Sequence, residues 1–184
     1  MIYVLGVDPG FSAFGYALAS YDPESDTHEV RAMGVIRTKK SDKKLRIAAS
    51  EDNFQRARDI ASALQGIIQV NRVRALAFES FSAPQKASKM NLVKIGFPYG
   101  VLAALASACD LPTVQLSPKR IRQVLRADSK SAVENVLRGG FPEAVRMLDG
   151  SVPRTLHNHA WDALAAYLAS WDTDTMRMLR NARR

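Results

Sequence analysis

The first part of the chain carries three short apolar runs separated by turn-forming residues. The runs lie at 2–8, 13–20 and 28–38, and the turns between them read PGFS and DPESD. Runs of this length bounded by Pro, Gly, Asp and Ser are typical of β-strands joined by turns. We therefore predict three antiparallel strands at the start of the chain.

The pattern then changes to helical spacing. Between residues 50 and 70, apolar side chains recur every three or four positions, which predicts an amphipathic helix. These apolar positions are Phe54, Ala57, Ala61, Leu64 and Ile68. The apolar run at 73–79 predicts a buried strand, and the basic stretch at 37–46 predicts an exposed loop.

The rest of the chain alternates between helical and strand-like segments. We predict a mostly helical region at 85–108, a strand at 112–116, helices near 118–126, 130–138 and 142–149, and a final helix from about Arg154. Antiparallel strands followed by alternating strands and helices favour an α/β fold with a five-stranded mixed sheet flanked by helices. No linker or repeat is visible, so residues 1–184 are expected to form one domain.

Charge and cysteine content narrow the possible partners. The formal net charge is +8, which favours a polyanion such as nucleic acid as the partner. Cys109 is the only cysteine, which excludes an intramolecular disulfide and a multi-thiolate zinc site and favours a reducing compartment, the cytoplasm by default. The apolar start reaches Asp8 too soon for a signal peptide, and no apolar run is long enough for a membrane helix.

Two acidic residues end two of the predicted strands. Asp8 ends the first strand and Glu79 ends the fourth, so parallel pairing of these strands would bring both carboxylates to the carboxyl edge of the sheet. Two like charges about 4 Å apart repel by several kcal/mol at an effective dielectric constant near 20. Such a pair needs a shared proton or a cation, and a divalent metal ion would supply the cation.

The segment HNHAWDALAAYLAS at 157–170 supplies two more polar side chains. His159 and Asp162 are three residues apart and share one helix face, while Leu156, Ala160, Leu164, Tyr167 and Leu168 can pack against the sheet. Carboxylates with one imidazole suit Mg²⁺ or Mn²⁺. Taken singly, each residue has a structural interpretation as a turn, a helix cap or half of an ion pair.

The order of five motifs resembles a known family. GVDPGFSAFGYALA, ALAFESF, KIGFPYGVLAAL, SPKRIRQVLRADSKSAV and HAWDALAAYLA are similar to motifs of the RuvC-type Holliday junction resolvases, which have the RNase H-like fold. The last motif also looks like one in the RuvC domains of CRISPR effectors. The resemblance covers about residues 3–170 and implies that Asp8, Glu79, His159 and Asp162 are metal-binding and catalytic, with two Mg²⁺ or Mn²⁺ ions per site. His157 falls outside the motif, and a surface position is one structural interpretation of both His157 and His159.

The same resemblance assigns roles to basic and aromatic residues. Lys130 matches a lysine that approaches the scissile phosphate, and Arg122 stands where that family usually has lysine, a departure because a planar guanidinium is not interchangeable with an ammonium. Phe81 resembles an aromatic wedge inserted at the junction point. DNA contacts are also expected from basic clusters at 37–46, 117–130 and 177–184. Within the first two, the candidates are Lys39, Lys40, Lys43, Lys44, Lys119 and Arg120.

The resemblance also implies a homodimer that acts on four-way junction DNA. The matching segment contains Gly96 and Gly100, which would allow close approach, and apolar side chains at Leu92, Val93, Phe97, Val101 and Leu102. Pro98 departs from the family pattern and predicts a kink or a new helix start. The expected activity is paired nicking that leaves 5′-phosphate and 3′-hydroxyl ends.

Three other functions remain open from the sequence. DPGFSAFG looks a little like the first phosphate loop of the actin and Hsp70 superfamily, but 184 residues leave no room for the second such domain. A DNA-binding module without catalysis is argued against by the acidic residues. A broader branched-DNA or flap endonuclease of a mobile element is the closest alternative.

Overall fold

A single five-stranded sheet forms the centre of the molecule in the computed structural model, which describes residues 1–80 and 89–182. The strands are Ile2–Asp8 (β1), Ala13–Asp22 (β2), Thr27–Arg37 (β3), Ala75–Glu79 (β4) and Thr113–Leu116 (β5). Their order is β3-β2-β1-β4-β5, with antiparallel pairing among the first three strands of the chain and parallel pairing of β1 with β4 and of β4 with β5. The predicted mixed α/β sheet is therefore confirmed.

Seven α-helices surround this sheet in the described part of the chain. They are Ala49–Asn71 (α1), Lys89–Ala108 (α2), Pro118–Val124 (α3), Lys130–Gly140 (α4), Pro142–Ser151 (α5), His157–Ser170 (α6) and Asp174–Asn181 (α7). Short 3-10 helices at Lys43–Leu45 and Arg154–Leu156 precede α1 and α6. None of the described helices is long and apolar enough to cross a membrane.

The helices divide between the two faces of the sheet. Strand alternation sends Leu5 and Val7 to the face covered by α1 and α2, and Val4 and Ala77 to the face covered mainly by α6. Both faces bury apolar side chains, which explains why β1 and β4 read as apolar runs and not as alternating patterns. Helix α6 lies over the middle of the sheet, so residues at its start are held beside the carboxyl ends of β1 and β4.

The predicted apolar face of α1 is partly wrong. The buried row is Arg56, Ile60, Leu64 and Ile68, whereas Phe54 is 65% exposed. Arg56 is 3% exposed and donates hydrogen bonds to Thr38 Oγ1 at 3.0 Å, Ser12 Oγ at 2.9 Å and the Phe11 carbonyl at 3.3 Å. Arg56 can occupy this buried position because its hydrogen bonds connect α1 to the turn after β1. A prediction based on the spacing of apolar residues cannot anticipate such a contact.

Three further predictions about elements need correction. The final helix begins at His157 after a 3-10 turn at Arg154–Leu156, and the separate helix α7 after it was missed. Helix α7 is short and polar overall, and only Met176 is buried while Leu179 packs beside it, so the segment was not recognised as a separate helix. Helix α2 runs through Pro98 as one element, so of the two predicted alternatives, a kink or a new helix start, the new start is wrong.

Candidate active site

Two carboxylates lie at the carboxyl edge of the sheet. The parallel register of β1 and β4 pairs Val7 with Phe78, so Asp8 and Glu79 are the next residues on two adjacent strands. Both side chains are partly exposed. The predicted convergence of strand ends is confirmed, because parallel neighbours end at the same edge of a sheet.

Helix α6 brings an imidazole to this edge. His159 Nδ1 lies 2.6 Å from Asp8 Oδ2, within hydrogen-bond distance. This hydrogen bond raises the pKa of His159 above its usual value, because it favours the protonated ring more than burial disfavours it. The helix can sit this close because Gly15, the cross-strand neighbour of Asp8, has no side chain between β2 and the His159 carbonyl.

Glu79 and Asp162 are both harder to ionise than ordinary carboxyl groups. Burial raises the pKa of Glu79, and the charges of Asp162 and Asp8 raise it further. Burial also raises the pKa of Asp162, and this outweighs the lowering effect of Lys130. Carboxylates that resist ionisation together favour any positive charge placed among them.

Lys130 supplies one such charge. It is the first residue of α4, whose N-cap Ser129 accepts a hydrogen bond from the Ala132 N–H at 3.2 Å. The Lys130 ammonium lies 2.5 Å from Asp162 Oδ2. Burial alone would lower the pKa of Lys130, but the hydrogen bond to Asp162 and the surrounding carboxylates raise it above its usual value. The lysine therefore remains charged beside the acidic edge.

An open cleft of about 250 Å³ adjoins these residues. Its polar wall holds Glu79, Asp162, Lys130 and Arg122, so the sequence-predicted pair of basic residues faces two of the predicted acidic ones. The apolar wall comes from α3, α4 and α6. Its residues are Pro118, Ile121, Val133 and Ala165.

The donor chemistry suits a divalent cation, although the side chains do not form a finished cage. Within residues 1–80 and 89–182, no three His, Cys, Asp or Glu side chains lie close enough together to hold a metal ion. Three of the four predicted ligands are instead engaged: Asp8 and His159 with each other, and Asp162 with Lys130. An oxygen-rich set with one imidazole is what Mg²⁺ and Mn²⁺ accept, so the residues present fit such an ion.

The other predicted DNA-contacting residues do not line this cleft or have side chains outside the described structure. Lys39, Lys40 and Lys44 are exposed before α1, and Lys119 and Arg120 are exposed on α3. Arg120 forms an ion pair with Asp172. The Lys43 side chain and the whole of Phe81 lie outside the described residues, so the wedge prediction is not addressed.

The interpretation of His157 as a surface residue is wrong. Its side chain is buried, with 4% of the residue exposed, and Nε2 lies 2.7 Å from the Val152 carbonyl oxygen. The ring joins the start of α6 to the end of α5. Its partner is a backbone carbonyl, and such a bond leaves no signal in the spacing of side chains.

One residue beside the site was missed altogether. The Tyr99 hydroxyl donates a 2.7 Å hydrogen bond to the backbone carbonyl of Glu79. Burial, together with the charges of Asp8 and Glu79, raises the pKa of Tyr99 to about 12. Within an apolar helix segment, a tyrosine 20 positions after its partner gives no recognisable pattern.

These features define a class of protein. Clustered carboxylates at the carboxyl edge of a mixed sheet, faced by a lysine in an open cleft on a basic chain, are typical of metal-dependent phosphodiesterases that act on nucleic acid. The family model for crossover junction endodeoxyribonuclease RuvC matches residues 4–168. The chain belongs to this family.

Individual relatives agree with this assignment. A crossover junction endodeoxyribonuclease RuvC from Porphyromonas gingivalis is 29% identical over 133 residues, which cover 72% of this chain and 64% of that relative, slightly less than two thirds. The protein of the same description from Synechococcus sp. strain CC9311 is 26% identical over 172 residues, which cover 91% of this chain and 97% of the relative.

Solved structures support the fold. Thermus thermophilus RuvC superimposes with a TM-score of 0.69 at 21% identity, covering 97% of this chain and 98% of that one. The same protein in complex with a Holliday junction substrate gives a TM-score of 0.69 at 20% identity, covering 91% and 92%. The yeast mitochondrial Holliday junction resolvase gives 0.64 at 18% identity, covering 99% and 85%. At these identities the likeness establishes the fold alone, and the predicted RNase H-like fold is confirmed.

Proposed function

We propose that this protein resolves four-way DNA junctions by paired nicks that leave 5′-phosphate and 3′-hydroxyl ends. The observation that carries the proposal is the cluster of Asp8, Glu79 and Asp162 beside Lys130, in a chain that belongs to the RuvC family. A relative of the same fold is known as a complex with a Holliday junction, which supports this substrate.

Family membership implies dependence on a divalent metal ion in general. We propose Mg²⁺, with Mn²⁺ as a substitute, and two ions per site, held by Asp8, Glu79, His159 and Asp162. Such ions lower the pKa of a bound water and neutralise charge on the leaving oxygen. In this structure His159 Nδ1 lies within hydrogen-bond distance of Asp8, and the Lys130 ammonium compensates the charge of Asp162.

Two basic residues then face the substrate phosphate. The Lys130 ammonium, which contacts Asp162, lines the cleft and would face a phosphate bound there. There it would offset the negative charge that develops as the phosphodiester bond breaks. Arg122 lines the same cleft and can bind phosphate oxygens with two N–H groups, where a lysine would offer one charged point.

Outlying basic residues would hold the DNA backbone. Phosphate contacts position a duplex without reading its sequence, and their strength falls steeply with salt. Arg120 must exchange its pairing with Asp172 for a phosphate, so it should contribute less than an unpaired cation. The proposed surface consists of Lys39, Lys40, Lys43, Lys44, Lys119 and Arg120, with Phe81 proposed as the wedge.

We also propose that two copies act together on one junction, since a four-way junction presents two equivalent strands. Helix α2 offers a face of small residues for this contact, and a Cβ added to Gly96 or Gly100 would meet nothing within 4 Å. Phe97 and Leu102 do not belong to that face, because Phe97 stacks on Phe11 and Leu102 is 1% exposed in the protein's own core. Ala103 and Ala104 are exposed and can take their place.

The experiment that tests the proposal separates binding from cleavage. Asp8→Asn, Glu79→Gln and Asp162→Asn each keep the side-chain shape and remove one negative ligand. We expect single-turnover cleavage of a synthetic junction with Mg²⁺ to fall by a factor of at least about 10³ while junction affinity stays within a few-fold of wild type.

The matched control is Asp149→Asn, an amide substitution at a half-exposed aspartate on α5. It should cleave at the wild-type rate. Loss of binding in parallel with cleavage in the three site variants would show that the carboxylates support the fold and not the reaction.

A further inference from the structure

The last peptide group of β4 is held from two sides. The Ser80 N–H donates a 2.7 Å hydrogen bond to the Leu116 carbonyl of β5. The carbonyl of Glu79, at the other end of the same peptide group, accepts its 2.7 Å hydrogen bond from the Tyr99 hydroxyl of α2. Because Glu79 carries the carboxylate, the plane of this peptide affects where that carboxylate points.

The sheet itself cannot supply the bond that Tyr99 makes. Along a parallel strand, alternate residues direct their N–H and C=O groups to opposite neighbours. Ser80 bonds to β5, so the Glu79 carbonyl points toward β1. The parallel register pairs Val7 with Phe78, which makes the nitrogen of Pro9 the next donor expected along β1. Proline has no N–H, so the hydrogen bonds between β1 and β4 end before the Glu79 carbonyl, which receives no backbone donor from β1.

Tyr99 is built into this position and is not a surface residue that happens to reach it. Its ring packs edge-on against Phe78, with centroids 5.9 Å apart, on the face of the sheet opposite α6. The ring thus anchors in the core while the hydroxyl extends to the strand end. A tyrosine suits this position because its ring can pack in the core while its hydroxyl donates one hydrogen bond at the edge of the core.

We infer that Tyr99 is a positioning residue for Glu79: its hydroxyl replaces the backbone donor that Pro9 cannot provide and so fixes the peptide that aims the Glu79 carboxylate. The inference rests on the proposed function for its catalytic consequence. Its structural consequence, weaker binding of a divalent cation at the carboxylate cluster, can be measured without DNA.

The test is Tyr99→Phe, which keeps the ring and removes only the donor. Tyr3→Phe is the matched control, because Tyr3 packs against the same core cluster and no hydroxyl hydrogen bond is found for it within the described residues. For Tyr99→Phe we expect the single-turnover rate of junction cleavage at saturating DNA to fall about tenfold, or about 1.4 kcal/mol in activation free energy. Junction affinity should not change.

A second readout is Mn²⁺ binding to the protein alone, followed by water-proton relaxation. Tyr99→Phe should bind Mn²⁺ several-fold more weakly than wild type, while Tyr3→Phe matches wild type. If Tyr99→Phe keeps wild-type Mn²⁺ affinity and cleavage, or loses only thermal stability, the inference is wrong. If wild-type protein binds Mn²⁺ but cuts no junction, the proposed function fails, and the Mn²⁺ comparison still decides the role of Tyr99.

Discussion

Replacing Gly15 with alanine would measure how closely the site depends on the seating of α6. A Cβ at this position would lie 2.0 Å from the backbone oxygen of His159 and 2.4 Å from its carbonyl carbon, whereas ordinary contacts begin at 3.4 Å. The start of α6, or the strand beneath it, must therefore move by about 1.4 Å. Gly15 has no positive φ angle, so the clash and not backbone strain determines the effect.

This displacement should affect both stability and activity. Overpacking of a tight interface costs about 1 to 3 kcal/mol of unfolding free energy. The moving backbone also carries His159, and a shift of about 1 Å in a reacting group can reduce a rate by about a hundredfold. We expect Gly15→Ala to unfold at lower denaturant concentration and to cleave junctions about a hundredfold more slowly under conditions where it is fully folded.

Gly66→Ala is the matched control. The same added methyl group meets nothing within 4 Å on the exposed side of α1. Alanine is favoured over glycine inside a helix by about 0.8 to 1 kcal/mol, so this variant should be more stable than wild type and equally active. If folded Gly15→Ala cleaves at the wild-type rate, the position of α6 over the strand ends does not determine activity.

The remaining predictions concern stability, pH and salt. His157→Ala should lower the unfolding free energy by about 1 to 3 kcal/mol, because it leaves the partly buried Val152 carbonyl without this partner. Cleavage by the folded protein should not change, and slower cleavage at equal folding would contradict this prediction. Burial lowers the pKa of His28 below its usual 6.5, against the raising effect of Asp26, so the unfolded chain takes up a proton first as pH falls. The stability contribution of His28 is therefore complete above about pH 6.5 and is lost on acidification below it. Between about pH 5 and 8, the unfolding free energy measured by chemical denaturation should change less steeply with pH for His28→Gln than for wild type. An unchanged slope would assign the pH dependence to other groups. Neutralising the basic loop should make the plot of log K for junction binding against log salt less steep by about 0.9 for each lost phosphate contact. Cleavage at low salt should survive. An unchanged slope would exclude this loop from the DNA surface. The loop lysines to be changed together are Lys39, Lys40, Lys43 and Lys44.

The sheet was predictable because its strands are short, apolar and separated by turn residues. Parallel pairing then placed Asp8 beside Glu79 without any knowledge of side-chain contacts, and helical spacing put His159 and Asp162 on one face. That residues 1–184 form one domain stays a prediction.

Three parts of the structure lay beyond sequence patterns. Arg56 occupies a core position that a count of apolar residues assigns to its neighbours, and its bonds go to a turn 44 or 45 residues earlier. His157 and Tyr99 both bond to backbone carbonyls, which every residue possesses and no motif marks. Contacts between a side chain and a backbone carbonyl depend on the finished fold, so spacing along the chain cannot reveal them.

The preference of the protein for DNA shape tests the account most directly. Wild-type protein and Asp8→Asn would be incubated with Mg²⁺ and four-way junction, three-way junction, flap and linear duplex DNA of the same arm sequences. Products would be mapped to the nucleotide and their ends tested by ligation. We predict that wild type cuts the four-way junction at two symmetric positions, leaves ends that religate directly, and cuts linear duplex far more slowly, whereas Asp8→Asn binds the junction without cutting it. Equal cleavage of flap or linear duplex DNA, or single unpaired nicks, would contradict junction resolution as the function of this protein.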